Sequence, residues 1–164
     1  MGTRRKAREL AMQALFFMDL RKDFSAEMFA GFCASFAPKP EVRPFFTQLV
    51  EGVLARREQL DALIRSASDN WTLERMSGVD RNVMRIAVFE MLSCTDIPAK
   101  VSINEAVDIG KKFGTEDSGA FINGIIDTIR AAIERGEVTP FEPDEPDPLA
   151  GGGPRPVPTP EEVP

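Results

Sequence analysis

A group of cationic side chains stands at the beginning of the chain, and the chemistry natural to such a group is the binding of phosphate. All four fall within five residues: Arg4, Arg5, Lys6 and Arg8. A helix that starts here already carries partial positive charge at its N-terminus, so basic residues at this position cost stability. A nucleic-acid backbone would offset that cost by releasing counterions. The cluster therefore favours RNA contact, and a solvated, frayed N-terminus is the alternative.

Aromatic rings near these cations could stack on unpaired nucleobases. Phe16 and Phe17 are adjacent, so one narrow helical face cannot bury both. Phe121 directly precedes the apolar stripe of the last expected helix. Stacking of a base on such a ring contributes about 1–3 kcal/mol. Each ring could instead pack against a neighbouring helix, and for any single Phe the sequence favours that packing.

Acid–base catalysis has few candidate residues in this chain. There is no His, which removes the commonest general base and metal ligand. Glu116 and Asp117 are neighbours, and neighbouring helical residues point in different directions, so they form no converging pair. Neither a phosphate-binding glycine loop with Lys nor a GxGxxG motif after a strand is present. We therefore expect a protein that is not an enzyme and that needs no cofactor.

Cysteine usage and hydropathy point to a cytoplasmic protein. Cys33 and Cys94 lie in apolar segments and, without His, would make a poor zinc site. No apolar run approaches the roughly 20 residues that span a bilayer. The basic N-terminus lacks the apolar region and cleavage site of a secretory signal. In the cytoplasm, two such cysteines favour free thiols over a disulfide.

Charge and composition divide the chain near Gly136. The net charge of −6 arises after this residue, where the last 28 residues hold seven acids, one Arg and nine of the thirteen prolines. Such a segment buries too little apolar surface to offset its chain entropy. The sequence thus predicts a helical domain over residues 1–136 and a disordered, acidic, Pro/Gly-rich tail over residues 137–164.

Apolar residues recur at helical spacing throughout the domain, which predicts an all-α fold. Seven helices are expected when a short turn near residues 71–76 is counted. Asp80 opens a helix that is apolar on most sides and should be central. Ser102 and Glu105 have the spacing of a capping box, which predicts a helix start there. Gly124 lies inside the last helix and suggests the close approach of a neighbouring backbone.

Three segments carry a resemblance to a known family: RRKARELAMQALF at the start, VDRNVMRIAVFEML in the middle and IPAKVSINEAVDIGKKFGTEDSGAFINGIID near the end. Over about residues 3–135 the chain resembles the NusB family of transcription antitermination factors. The resemblance implies a seven-helix fold of two small helical bundles packed together, without catalysis. It implies binding of boxA-type single-stranded RNA in ribosomal RNA leader transcripts, jointly with the small-subunit ribosomal protein NusE. Through other factors, the pair would help RNA polymerase to read through terminators.

The resemblance also assigns positions, one by one. The positions expected to contact RNA are Arg4, Arg5, Lys6, Arg8, Phe16, Asp117 and Phe121. Phe16 stands where relatives can have Tyr, so the ring is kept and a hydroxyl is lost. Asp117 can accept a hydrogen bond from a base or a 2′-hydroxyl group. Asp80 matches an acidic position implicated in the NusE interface.

Of two other functions, the sequence leaves the first open and disfavours the second. The first is a protein-interaction module that acts mainly as a homodimer, without direct RNA readout. The second is a module of an RNA cytosine methyltransferase, since a related helical domain precedes the catalytic domain in some of these enzymes. This chain has no room for such a catalytic domain. Salt dependence separates RNA binding from the first of these, because phosphate contacts weaken steeply as salt rises and a hydrophobic dimer does not.

Overall fold

The structure, a computed structural model, describes residues 2–69 and 71–142. Within these ranges it contains six α-helices, one 3-10 helix and no strand, so the predicted all-α class is confirmed. Counting the short helix gives the expected seven. The helices are α1 (Thr3–Leu20), α2 (Ala26–Ser35), α3 (Arg43–Ala67), the 3-10 helix (Leu73–Arg75), α4 (Gly78–Ser93), α5 (Ala99–Phe113) and α6 (Ser118–Glu134).

Helix α4 lies at the centre of the fold. Every residue from Asn82 to Leu92 is buried, because α4 packs against α1, α3, α5 and α6 at once. A helix with apolar residues on most of its faces is stable only when it is enclosed in this way. The prediction that the helix opened by Asp80 is central is therefore confirmed.

The other helices form one bundle on each side of α4. Helices α1, α2 and α3 pack together, and α5 packs on α6, while α4 contacts members of both groups. One continuous apolar core runs through the two bundles. Its largest fully buried side chains include Phe46 and Leu15 in the first bundle and Ile122 and Ile126 in the second. This arrangement agrees with the two packed bundles that the resemblance implies.

The predicted start of the fifth helix at Ser102 is wrong. Helix α5 begins directly after Pro98, whose fixed backbone angle suits the entry to a helix. The Ser102 hydroxyl instead donates a hydrogen bond to Glu90 at 3.1 Å. Glu105 accepts a hydrogen bond from Arg5. The capping-box spacing therefore reflects contacts with two other helices, one turn into α5.

The close backbone approach predicted at Gly124 is also wrong. A Cβ atom at Gly124 would meet no heavy atom within 4 Å, because this side of α6 faces solvent. Close approaches occur at other glycines. A Cβ on Gly52 would lie 2.1 Å from the ring of Phe89, so α3 and α4 can approach there only because the side chain is missing.

Packing continues beyond the last helix. Gly136 has a φ of 76°, in the left-handed region that favours Gly after a helix. Val138 and Phe141 then pack against the core, and the backbone N–H of Phe141 donates to the carbonyl of Leu92 at 3.0 Å. The packed part of the chain therefore continues beyond Gly136, where the sequence predicts the end of the helical domain. The rest of the predicted disordered tail, residues 143–164, lies outside the described residues.

Candidate nucleic-acid interface

The first turn of α1 presents Arg4 and Lys6 to solvent. This turn contains no acidic residue, and its N-cap is Gly2, without a side-chain cap. The Arg4 guanidinium lies 3.7 Å from the carboxylate of Asp96, with 58 % and 74 % of the two side chains exposed. Exposed pairs of this kind contribute little to stability. Arg4 and Lys6 are therefore open to a phosphate ligand.

Arg5 is held by two acids of α5. Its Nε donates to the carboxylate of Glu105, and its Nη2 donates to Oδ2 of Asp108 at 3.0 Å. The hydrogen bond to Glu105 is the main cause that raises the pKa of Arg5 above its usual value, so the guanidinium stays cationic. Carboxylates already compensate this charge. A phosphate that approaches Arg5 would have to compete with them.

Arg8 does not face solvent. Only 4 % of its side chain is exposed, and its Nε and Nη2 donate to both carboxylate oxygens of Glu90 over 2.7–3.1 Å. Glu90 is equally buried and also accepts the Ser102 hydroxyl. This geometry does not support the phosphate contact expected for Arg8. Arg8 instead joins α1 to α4 inside the protein, where paired hydrogen bonds satisfy both charges.

A second set of expected site residues meets in a cleft of about 250 Å³. Asp80 comes from the start of α4, and Asp117 and Phe121 come from the start of α6. The other residues that line the cleft are Trp71, Arg75, Met76, Ser77, Thr115 and Ser118. The fold thus brings two carboxylates, two aromatic rings and one guanidinium together from two separate stretches of the chain, residues 71–80 and 115–121.

Asp80 contributes a carboxylate oxygen that lacks a partner. Its backbone N–H donates to the hydroxyl of Ser77 at 3.1 Å, which caps α4. Only 8 % of Asp80 is exposed, and its Oδ1 is buried without a hydrogen bond to any described residue. A buried acceptor left unpaired costs about 1–3 kcal/mol.

The start of α6 forms one wall of the cleft. Asp117 occupies the N-cap position, yet its side chain makes no capping hydrogen bond. The Ser118 hydroxyl accepts the Thr115 N–H instead, at 2.9 Å. The Asp117 carboxylate is exposed and free to accept a hydrogen bond from a ligand. The ring of Phe121 meets that of Trp71 edge to face, with centroids 6.2 Å apart.

Phe16 is not among the residues that line this cleft, but it packs on the sequence neighbour of one of them. Its ring lies over Gly78, where a Cβ would be 2.7 Å from Cε2, and Gly78 directly follows the cleft residue Ser77. Phe16 is 37 % exposed, whereas Phe17 packs inward on Phe32 with ring centroids 5.9 Å apart. The two adjacent rings thus separate to different faces, as their spacing predicts.

Sequence reasoning does not assign Trp71 or Arg75 to the site. Trp71 precedes the 3-10 helix and Arg75 is its last residue, in a segment that the apolar pattern predicts only as a short helical turn. One signal was available: Trp71 is the single Trp of the chain and stands in a polar stretch, SDNWTLER. With 52 % of its surface exposed, it does not serve the core in the way that the buried aromatic residues do.

Comparison with known proteins decides the family. A family model described as NusB family matches residues 5–131, most of the chain. The chain belongs to the NusB family. A relative in Desulforapulum autotrophicum, named transcription antitermination protein NusB, is 54% identical over an alignment of 141 residues that covers 84% of this chain and 99% of the relative. NusB proteins are transcription antitermination factors and not enzymes.

Solved NusB structures share the fold. T. maritima NusB is 34% identical with a TM-score of 0.70, over 82% of this chain and 97% of that one. A chain of a crystal structure described as antitermination factors NusB and NusE in complex with dsRNA is 26% identical with a TM-score of 0.71. That match covers 80% of this chain and 98% of that one. The all-helical architecture is therefore that of the NusB fold.

Two further kinds of site are absent from the part of the chain that the structure describes. It contains no group of three His, Cys, Asp or Glu side chains placed to hold a metal ion. None of its helices is both long and apolar enough to cross a membrane. Cys33 and Cys94 are free thiols, and burial, followed by the nearby acids Glu90 and Asp96, raises the pKa of Cys94 to about 11.

Proposed function

We propose that this member of the NusB family binds boxA-type single-stranded RNA in ribosomal RNA leader transcripts, jointly with NusE. The complex then acts on the RNA polymerase elongation complex through other factors, in the cytoplasm, and polymerase reads through terminators. The observation that carries the proposal is the similarity of nearly the whole helical body to a chain of the NusB–NusE–RNA complex. The RNA of that complex is described as double-stranded, so single-strand recognition needs its own test.

The geometry of this chain supports phosphate contact at one surface and base or ribose contact at another. Arg4 and Lys6 are exposed cations suited to the phosphate backbone, with Arg5 joining them when phosphate displaces its carboxylate partners. Phe121 and Asp117 lie in the cleft and suit a base or a ribose. The Asp117 carboxylate is available because it makes no capping hydrogen bond to its own helix. Contacts to phosphate position a nucleic acid, and contacts to bases distinguish its sequence.

The test is a titration of the full chain with labelled boxA-like and scrambled RNA, with and without NusE, over a series of salt concentrations. We expect tighter binding of boxA-like RNA and a further gain in affinity when NusE is present. For a single strand, log K falls with log salt by roughly 0.7 for each phosphate contact. The double variant Arg4→Ala/Lys6→Ala should therefore reduce this slope by about 1.4.

Arg135→Ala is the matched control. Its side chain is 57 % exposed and forms a surface ion pair, as Arg4 does at 58 %, but it lies beyond the end of α6. We expect its salt slope to equal that of the unaltered protein. Equal affinity for the two RNAs in the presence of NusE would contradict the proposal. Absence of RNA binding, together with a dimer that salt does not dissociate in sedimentation, would favour the protein-interaction module instead.

A further inference from the structure

We propose that the acidic segment that follows Phe141, residues 142–164, contacts Arg4 in the RNA-free protein and competes there with the phosphate groups of RNA. The segment is the occupant, and the exposed first turn of α1 is the surface that receives it. The inference rests on the proposed RNA-binding function and adds a way in which the chain limits its own affinity for RNA.

The acidic segment has the charge of a phosphate competitor. Residues 142–164 contain six acids and one Arg. Four of the acids fall within the first six residues: Glu142, Asp144, Glu145 and Asp147. A carboxylate accepts the same charge-assisted hydrogen bonds from a guanidinium group as a phosphate does. The acids nearest to the helical body are therefore chemically suited to an arginine that also binds RNA.

The packing of Phe141 fixes the place where the acidic segment leaves the helical body. The Phe141 N–H donates to the Leu92 carbonyl at 3.0 Å, near the end of α4, and the ring packs against the core. The Arg56 guanidinium lies over the same ring, 4.4 Å from its centroid. Glu142, the next residue and the last that the structure describes, is exposed. The acidic segment therefore starts on the surface, at the C-terminal end of α4.

Arg4 lies near the same end of α4. Its guanidinium is 3.7 Å from the carboxylate of Asp96, which follows Leu92 closely in the chain. The four Cα–Cα steps from Leu92 to Asp96 cover at most about 15 Å, and the helical part of this stretch is shorter still. The six residues that lead from Phe141 to Asp147 span up to about 20 Å when extended. The first acids of the segment can therefore reach Arg4.

The charges around Arg4 leave it able to accept a further anion. The first turn of α1 has no acid of its own. Asp96 faces Arg4, but its side chain is 74 % exposed, so solvent weakens this pair. The ring of Phe45, 5.3 Å from the guanidinium, brings no counter-charge. Arg5 differs, because two acids of α5 already hold it. Arg4 is therefore the cation that the segment and a phosphate would share.

Tethering lets a weak contact of this kind compete with RNA. A segment held by a short linker has an effective concentration near the millimolar range, whatever the concentration of the protein. Salt screens the attraction, since the Debye length falls from about 30 Å at 0.01 M to about 10 Å at 0.1 M. The competition should therefore be strongest at low salt and independent of protein concentration. A contact made by the segment of a second copy would instead grow with protein concentration.

The experiment neutralises acids of the segment in the full chain. Asp144→Asn/Glu145→Gln removes two charges close to Phe141, so the affinity for boxA-like RNA should rise a few-fold at low salt and stay unchanged at high salt. Glu161→Gln/Glu162→Gln is the matched control, because it removes the same charge from the far end of the segment. Its effect should be much smaller, since effective concentration falls as the tether lengthens.

Two further measurements test the role of Arg4. The gain from Asp144→Asn/Glu145→Gln should disappear in an Arg4→Ala background. It should persist in a Lys6→Ala background, because Lys6 lines a different groove of α1, beside Lys39. In the protein without RNA, the NMR signal of the Arg4 Nε–H group should shift at low salt when the near acids are neutralised, and not when the far acids are.

The outcomes separate this inference from the proposed function. If RNA binds with the expected salt slope while the near pair changes neither its affinity nor the Arg4 signal, the inference is wrong and the proposed function stands. Equal gains from the near and far pairs, or a gain that survives Arg4→Ala, would show that the segment acts through net charge and would also overturn the inference. A gain that depends on protein concentration would assign the contact to a second copy, against the inference. If no RNA binds under any condition, the inference and the proposed function both fail.

Discussion

Arg8 and Glu90 form a buried ion pair that joins the first helix to the central one. Their three N···O contacts span 2.7–3.1 Å, and 4 % and 1 % of the two side chains are exposed. A basic residue that the sequence groups with the expected RNA-binding cluster thus serves the packing of the two bundles. Loss of RNA binding on substitution of Arg8 would therefore have a structural cause.

Removal of either partner should destabilise the fold. Glu90→Ala leaves the Arg8 guanidinium buried without its counter-charge, which typically costs about 3–5 kcal/mol. We expect Arg8→Ala to cost a comparable free energy of unfolding, measured in urea. Glu90→Ala keeps all four N-terminal cations, so it should lower RNA binding only where it unfolds the protein. A normal free energy of unfolding for both variants would show that the pair is not structural.

Asp108 should restrain RNA binding through its ion pair with Arg5. Asp108→Asn removes one carboxylate that competes with phosphate, so the affinity for RNA at low salt should rise a few-fold. Asp127→Asn is the control, since Asp127 is 54 % exposed and paired with Arg130 on α6, whereas Asp108 is 53 % exposed. Equal affinities of the two variants would mean that Arg5 does not take part in RNA binding.

Asp19 should make the fold sensitive to acid. Burial alone would raise the pKa of Asp19, but the hydrogen bond from Arg81 and the charges of Arg85 and Arg81 lower it below its usual value. The stabilisation is therefore complete above the pKa of the unfolded chain and is lost as the pH falls through the lower pKa of the folded state.

Asp19→Asn should thus reduce the free energy of unfolding by roughly 1.5–3 kcal/mol at pH 7. The difference from the unaltered protein should shrink as the pH falls from about 5 to 2. Chemical denaturation across this pH range measures both effects. Asp96→Asn, at a position that is 74 % exposed, should change stability little at any pH.

Two glycines should respond to Ala in opposite directions. Gly124 lies in a helix with open space around it, so Gly124→Ala should stabilise the protein by about 0.5–1 kcal/mol. Gly52→Ala would place its Cβ 2.1 Å from the ring of the buried Phe89, and such overpacking typically costs about 1–3 kcal/mol. Thermal unfolding of the two variants measures the signs directly. Destabilisation by Gly124→Ala would show that this glycine has a role in the fold.

The helices could be predicted from the sequence because they depend on the local spacing of apolar residues. The 3.6-residue recurrence of apolar residues predicts the helices and the central position of α4, and both are confirmed. The errors occurred where local spacing has more than one cause. Ser102 and Glu105 have capping-box spacing, yet they contact Glu90 and Arg5 from inside α5. Gly124 suggested a close packing contact, yet it faces solvent.

Some residues of the candidate site could be predicted from the sequence, but their spatial arrangement could not. The sequence drew attention to Asp80, Asp117 and Phe121 through the family resemblance, and the fold places all three in one cleft. Trp71 and Arg75 were missed because nothing local marks them as neighbours of α6. The number of basic side chains without a buried or paired charge also could not be predicted from the sequence. It depends on acidic residues about one hundred positions away, as the pairing of Arg5 with Asp108 shows.

By itself the sequence determined the helical class, the family and the absence of a His-based catalytic site, because composition, periodicity and motifs are properties of the chain. Only the tertiary structure decided which charges are available. Packing α1 against α4 and α5 buries Arg8 on Glu90 and pairs Arg5 with α5, while Arg4 and Lys6 remain in solvent. Whether a charge can bind a ligand depends on its burial and its partners, and both are set by contacts between residues far apart in the chain.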